Sequence, residues 1–232
     1  MEGIWQWLNG LFPLIEQGGW VMWPIVALSV LEVAIILERA WTLLVRAERI
    51  VPKGLVPEVE ARLDEGQIEE AVVVCRKSDS MMARVLLAGL RLQGKPRAMI
   101  REALEDAGRR ESRELDRFLG TLAAIAGVAP LMGLLGTVLG MIQIFQEIES
   151  KHIGQYESLA GGIYVALITT AAGLIVAIPA YLAYRGFGGI ADMKSHEMEN
   201  VSVEVLNHLD KPAESGPEGP SEEKDEVQRT GT

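Results

Sequence analysis

A single cysteine, Cys75, rules out a disulfide within one chain. Only three histidines occur, His152, His196 and His208, and they are scattered, with no metal-ligand spacing around them. No nucleotide-binding loop or nucleophile–base pair stands out, so nothing in the sequence favours an enzyme. Lysine and arginine number 22 against 32 aspartates and glutamates, and the net charge of −10 argues against a nucleic-acid binder. Residues 1–19 hold no basic residue at all, which removes the n-region of a cleaved signal peptide, and no small-residue cleavage site follows the next apolar run. The most informative absence is of charge: neither Leu119–Phe145 nor Ser158–Tyr184 contains an Asp, Glu, Lys, Arg or His.

Each of those stretches exceeds the roughly 20 apolar residues that carry a helix through a bilayer. Both are rich in Gly, Ala and Thr, a composition suited to close packing of helix on helix. A third span is expected over residues 20–45. There Val21–Leu37 is apolar, Trp20, Trp23 and Trp41 fit interface anchors, Glu32 sits in the middle and Glu38-Arg39 lies towards the end. The 49% hydrophobic and 23% charged residues are therefore segregated along the chain.

Fifteen Lys and Arg fall between Arg46 and Arg117, Arg185 directly follows the last span, and the link between the second and third spans carries only Lys151. The positive-inside rule then places the N-terminus outside and the middle segment and C-terminus in the cytoplasm. The expected organisation is all-α. It comprises an interfacial helix in 1–19, spans at 20–45, 119–146 and 158–184, and a cytoplasmic helical region at 46–118. A periplasmic loop at 147–157, a cytoplasmic helix at 185–210 and a disordered acidic tail at 211–232 complete it. The tail's six acidic and three basic residues, with Pro, Gly and Ser, cannot bury enough apolar surface to fold alone. In residues 1–19, Ile4, Trp5, Leu8, Leu11, Phe12 and Ile15 share one broad side, which suits the outer interface or, alternatively, a partner.

Within 46–118, periodicity predicts helices over Pro57–Glu65, Ile68–Lys77 and Ser80–Leu92, with Gly66 and Gly94 as stops and Pro96 as a start. Cys75 is expected to be a buried apolar side chain. From Arg97 the chain is expected to run as one rod into the second span, and Gly188-Gly189 to loosen the helix after the third.

Rows of small residues recur in the two clean spans: Ala129, Gly133 and Thr137; Gly136 and Gly140; Gly162, Ala166 and Thr170; Thr169, Gly173 and Ala177. They predict helix packing through Gly133, Gly136, Gly140, Gly162, Ala166 and Gly173. The threonines are open between back-bonding to their own helix and lining a water path. Glu32 is a candidate intramembrane carboxylate, with a structural role at a subunit interface or a wet position as the alternatives.

The runs APLMGLLGTVLGMIQIF (Ala129–Phe145) and GGIYVALITTAAGLIVAIPAYLAYR (Gly161–Arg185), with LER at Leu37–Arg39, resemble the MotA/TolQ/ExbB proton-channel family. Three expected spans with an outside N-terminus are similar to its ExbB/TolQ branch. The resemblance implies a pentameric ring around a single-span ExbD/TolR-type partner whose aspartate carries protons, and energising of a TonB/TolA-type client. It implies no cofactor and a place in a bacterial inner membrane. It puts Thr137 and Thr170 on the pore lining. Many relatives have a glutamate in a GIxEAL stretch of the third span; here Val165 stands there, so the two pore-type spans hold no carboxylate. A non-conducting scaffold that anchors a periplasm-spanning partner is the alternative function.

Overall fold

The computed structural model describes residues 18–45, 47–150 and 156–210. The expected interfacial helix, most of the loop between the later spans, with His152, and the acidic tail lie outside the described residues. Among the described residues, every regular element is helical.

The first helix, α1 (Met22–Ala40), continues into a π-helical turn at Trp41–Val45 and a 3-10 turn at Ala47–Arg49. Three short helices follow, α2 (Leu55–Asp64), α3 (Ile68–Lys77) and α4 (Met81–Leu90). Gly66 (φ +71°) and Gly94 (φ +77°) end the segments before them in the left-handed conformation that a side chain disfavours, at the two predicted stops. Ser80 caps α4, its Oγ accepting from Ala83 N at 3.1 Å. Val59, Cys75, Met82, Leu86 and Leu104 meet in the core of this region. Cys75 is 2% exposed, and burial pushes its thiol up to about 11.

After Pro96 comes α5 (Arg97–Leu115), then α6 (Leu119–Ser150) and α7 (Tyr156–Asp210). The rod expected from Arg97 is interrupted: Asp116–Phe118 form a turn, with Phe118 at φ +64°. A non-glycine residue rarely adopts that conformation, so something must hold it. Arg39 of α1 does. Its guanidinium is 2% exposed, donates to the Glu114 and Leu115 carbonyls at 3.3 and 3.2 Å, and lies 5.6 Å from the Phe118 ring centre.

The expected loosening at Gly188-Gly189 does not occur. α7 is one helix of 55 residues, about 80 Å long. Two helical glycines cost only about 1 kcal/mol each against alanine, and the helix is committed by packing on both sides of them. Ala191, Met198 and Val205 stay buried beyond the pair.

The stretches Arg97–Gln146 and Gly161–Leu209 are long and apolar enough to cross a membrane. α1, of 19 residues, carries Glu32, Glu38 and Arg39 among its apolar side chains. α7 is far longer than the roughly 30 Å hydrocarbon core, so a large part of it must stand outside.

Candidate functional site

α6 and α7 lie against each other along a seam of small residues. The seam on α6 steps through Ala129, Gly133, Gly136, Gly140 and Ile144, and on α7 through Gly162, Ala166, Thr169 and Gly173. The steps are of three or four residues, as a period of 3.6 requires. A Cβ on Gly133 would stand 2.9 Å from the Thr169 carbonyl oxygen, and one on Gly173 only 2.5 Å from that of Ala129. A Cβ on Gly140 would meet the Ala166 Cβ and the Gly162 carbonyl oxygen, both at 3.3 Å. On Gly136 it would overlap the Thr169 side chain, and on Gly162 that of Ile144. The backbones are as close as they are because these positions carry no side chain.

The three threonines are separated by this geometry. Thr169 is fully buried; its hydroxyl donates to the Ala166 carbonyl of its own helix at 2.9 Å and stands 3.5 Å from the Gly133 carbonyl oxygen across the seam. Thr170 is half-buried and donates across to the same Gly133 oxygen at 3.3 Å. Thr137 lies beside the seam, half-buried, and bonds back to Leu134 O at 2.7 Å. Thr169 and Thr170 thus converge on the Gly133 carbonyl across the seam, while Thr137 is held on a carbonyl of its own helix. The sequence places Thr169 only in a packing row; the mixed three- and four-residue steps are the signal that moves it to the centre.

Val165 is half-buried one position before Ala166. Glu32 is 3% exposed in the middle of α1, which packs against both seam helices. Glu38 and Arg39 form a two-pronged pair, Nε–Oε2 at 2.6 Å and Nη2–Oε1 at 2.8 Å. The fork geometry needs a guanidinium. Sequence reasoning places the two residues towards the end of the span but misses the reach of Arg39 to the α5–α6 turn, because residues 75 positions apart share no local pattern.

The outer faces of α6 and α7 are apolar and uncovered. Leu131 and Phe145 are 63% and 64% exposed, and Leu167 and Ile175 are 64% and 66% exposed. An apolar surface of this extent requires lipid or another protein surface. Helices α6 and α7 therefore present a largely apolar outer face, a tight seam, and hydroxyl groups as the polar side chains described along that seam.

Residues 77–200, which include α4, α5, α6 and most of α7, match the MotA/TolQ/ExbB proton channel family. A relative from Synechocystis sp. named ExbB-like 1 is 34% identical over 189 residues, 79% of this chain and 71% of that protein. A second Synechocystis relative, ExbB-like 3, is 36% identical over 171 residues, 71% of this chain and 79% of that protein. The Tol-Pal system protein TolQ of Pseudomonas aeruginosa is 36% identical over 94 residues, 40% of this chain and 41% of its own length. With its two membrane-length helices and the seam between them inside the matched residues, this chain belongs to the MotA/TolQ/ExbB proton channel family, in its ExbB/TolQ branch.

Proposed function

We propose that this chain is the ring-forming subunit of an inner-membrane proton channel, coupling proton flow to mechanical work through a single-span ExbD/TolR-type partner. α1, α6 and α7 are its three spans, with the N-terminus outside and α2–α5 in the cytoplasm. A pentamer sets α6 and α7 around a central partner helix. The observation that carries this reading is the seam: two membrane-length helices locked by glycine, with Thr170 on the Gly133 carbonyl and Thr137 on that of Leu134.

Neither seam helix holds a carboxylate between Leu119 and Phe145 or between Ser158 and Tyr184. A proton carrier then comes from the partner helix, from water held beside Thr137 and Thr170, or from elsewhere in this chain, where Glu32 of α1 is the candidate. One proton crossing about 100 mV releases roughly 2.3 kcal/mol, so a few suffice to move one packed helix past another. The glycine seam keeps the wall itself fixed while the partner moves. The client that receives the work is of the TonB/TolA type, which spans the periplasm.

Co-purification with the single-span partner, followed by proton flux in proteoliposomes, tests the reading. Wild-type complex should conduct, and the T137V/T170V double variant should lose most flux while the complex stays assembled. Undiminished flux in that variant would overturn the assignment. Glu32→Gln separates the buried α1 carboxylate from the path: retained flux leaves Glu32 a structural residue.

Val165, where relatives carry glutamate, favours one second reading, a non-conducting ring that anchors a periplasm-spanning partner. In that case the double variant would leave client function untouched and no flux would be measured from the wild type.

A further inference from the structure

The lower end of α7 meets α2 through four titratable groups. Glu60 and Asp64 stand one turn apart on α2, and Glu204 and His208 one turn apart on α7. His208 Nδ1 is 2.9 Å from the Glu204 carbonyl oxygen of its own helix. Donation of Nδ1–H to that carbonyl fixes the tautomer. Nε2, 3.5 Å from Asp64 Oδ1, is then a bare lone pair facing a carboxylate until it takes up a proton. Once protonated, the same contact becomes a charge-assisted pair.

Glu60 points the same way. Its Oε1 is buried and has no hydrogen-bond partner. Burial pushes the Glu60 carboxyl above the usual carboxylate value; Glu204 and Asp64 add to the rise and His208 opposes it. A raised value means the docked state holds the proton more tightly than the undocked one. The contribution of Glu60 is therefore full below the ordinary value of 4.5 and is lost as pH climbs through the raised one. A protonated His208 acts in the same sense through geometry, because its Nε2 stands 3.5 Å from the Asp64 carboxylate across the α2–α7 contact.

Two arginines on elements packed here have partners of their own. Arg62 of α2 pairs with Glu70 of α3 at 2.9 Å and with Glu65 at 3.5 Å. Arg97 of α5 reaches α7 at Asn207 Oδ1, 2.7 Å away.

We propose that protonation of Glu60 and His208 clamps α2 onto the terminal turns of α7, making the membrane-distal end of this helix a pH-sensitive latch. α7 is unbroken from Tyr156 to Asp210, so a clamp at its end restrains the same rigid element that forms the α6 seam. Acid on this side tightens the latch and alkali releases it. The latch depends on the packing of α2 against α7 and is independent of whether the ring conducts.

Hydrogen exchange on the complete chain, in its native oligomer in lipid nanodiscs, tests this at about pH 5.5 and about pH 8, with rates corrected for intrinsic exchange. Protection of 55–64 should fall about 3-fold or more at the higher pH, the scale of a partly exposed charge pair. Helix α4 (Met81–Leu90), buried in the same region, should not change and serves as internal reference. The E60Q/H208N double variant should show a flat profile. A wild type without pH response, a double variant that keeps it, or an equal change in α4 would each overturn the latch.

Discussion

The guanidinium of Arg39 caps the end of α5 from a different helix, its Nη1 donating to the Leu115 carbonyl oxygen at 3.2 Å. The last carbonyls of a helix have no partner within the helix. Here the chain turns at Asp116–Phe118 and starts again as α6, and a side chain from α1 satisfies those carbonyls. Phe118, held at φ +64°, is flanked by Arg39 at 5.6 Å and Arg117 at 4.7 Å from its ring centre. α1 thereby fixes where α5 ends and α6 begins.

Arg39→Ala removes the cap and leaves the Glu38 carboxylate without its fork. A loss of about 1–3 kcal/mol is expected, the cost of unpaired buried polar groups, read as a lower thermal midpoint of the solubilised protein. Arg39→Lys should recover only part of it, since an ammonium cannot hold Glu38 with two prongs and reach Leu115 as well. Full recovery by lysine would show that charge alone matters at this position.

Glycines of equal composition should respond in opposite directions. Gly173→Ala puts a Cβ 2.5 Å from a backbone oxygen that cannot swing away, so α6 and α7 must separate at a cost of about 1–3 kcal/mol. At Gly108 in α5 nothing lies within 4 Å of an added Cβ. Gly108→Ala should therefore stabilise by about 0.5–1 kcal/mol through helix propensity. Thermal unfolding of the two variants side by side measures the contrast, and an unaffected Gly173→Ala protein would contradict the tight seam.

The buried and half-buried threonines divide stability from transport. Thr169→Val strands the oxygen contacts inside the seam and should cost about 1 kcal/mol of stability. Thr137→Val loses only a bond to its own helix, so its thermal midpoint should stay within error while proton flux falls. A Thr137→Val protein as unstable as Thr169→Val would place Thr137 in the packing instead.

Cys75 should resist alkylation at neutral pH. Its thiol, pushed up to about 11 by burial, keeps its proton, and the thiolate is the attacking species. Mass spectrometry after maleimide treatment at pH 7 should find the folded protein unmodified and the denatured protein labelled once, at its single cysteine. Labelling of the folded protein would show that α3 opens in solution.

Much of the helix order is legible because local rules act over a few residues. Ile68–Lys77 matches its predicted limits, and Gly66 and Gly94 stop the chain where their φ above zero is tolerated. The break at Phe118 is not legible. Between Arg97 and Leu119 only Gly108 disfavours helix, and the helix runs through it; the turn comes later and is held by Arg39, far away in the chain. The continuity of α7 through Gly188-Gly189 is illegible for the converse reason: local preference argues for a break, and packing of Ala191, Met198 and Val205 overrides it.

The sequence by itself determined the all-helical class, the two membrane-length apolar stretches and the family. Those follow from charge distribution, helical periodicity and long runs of residues, which need no neighbour in space. Only the tertiary structure decided which small residues face each other, that Thr169 is the buried threonine while Thr137 stands aside, and that α1 holds the α5–α6 turn. Those depend on the phase of one helix against another, and a rotation of a few tens of degrees, invisible in a sequence, exchanges the residues that touch.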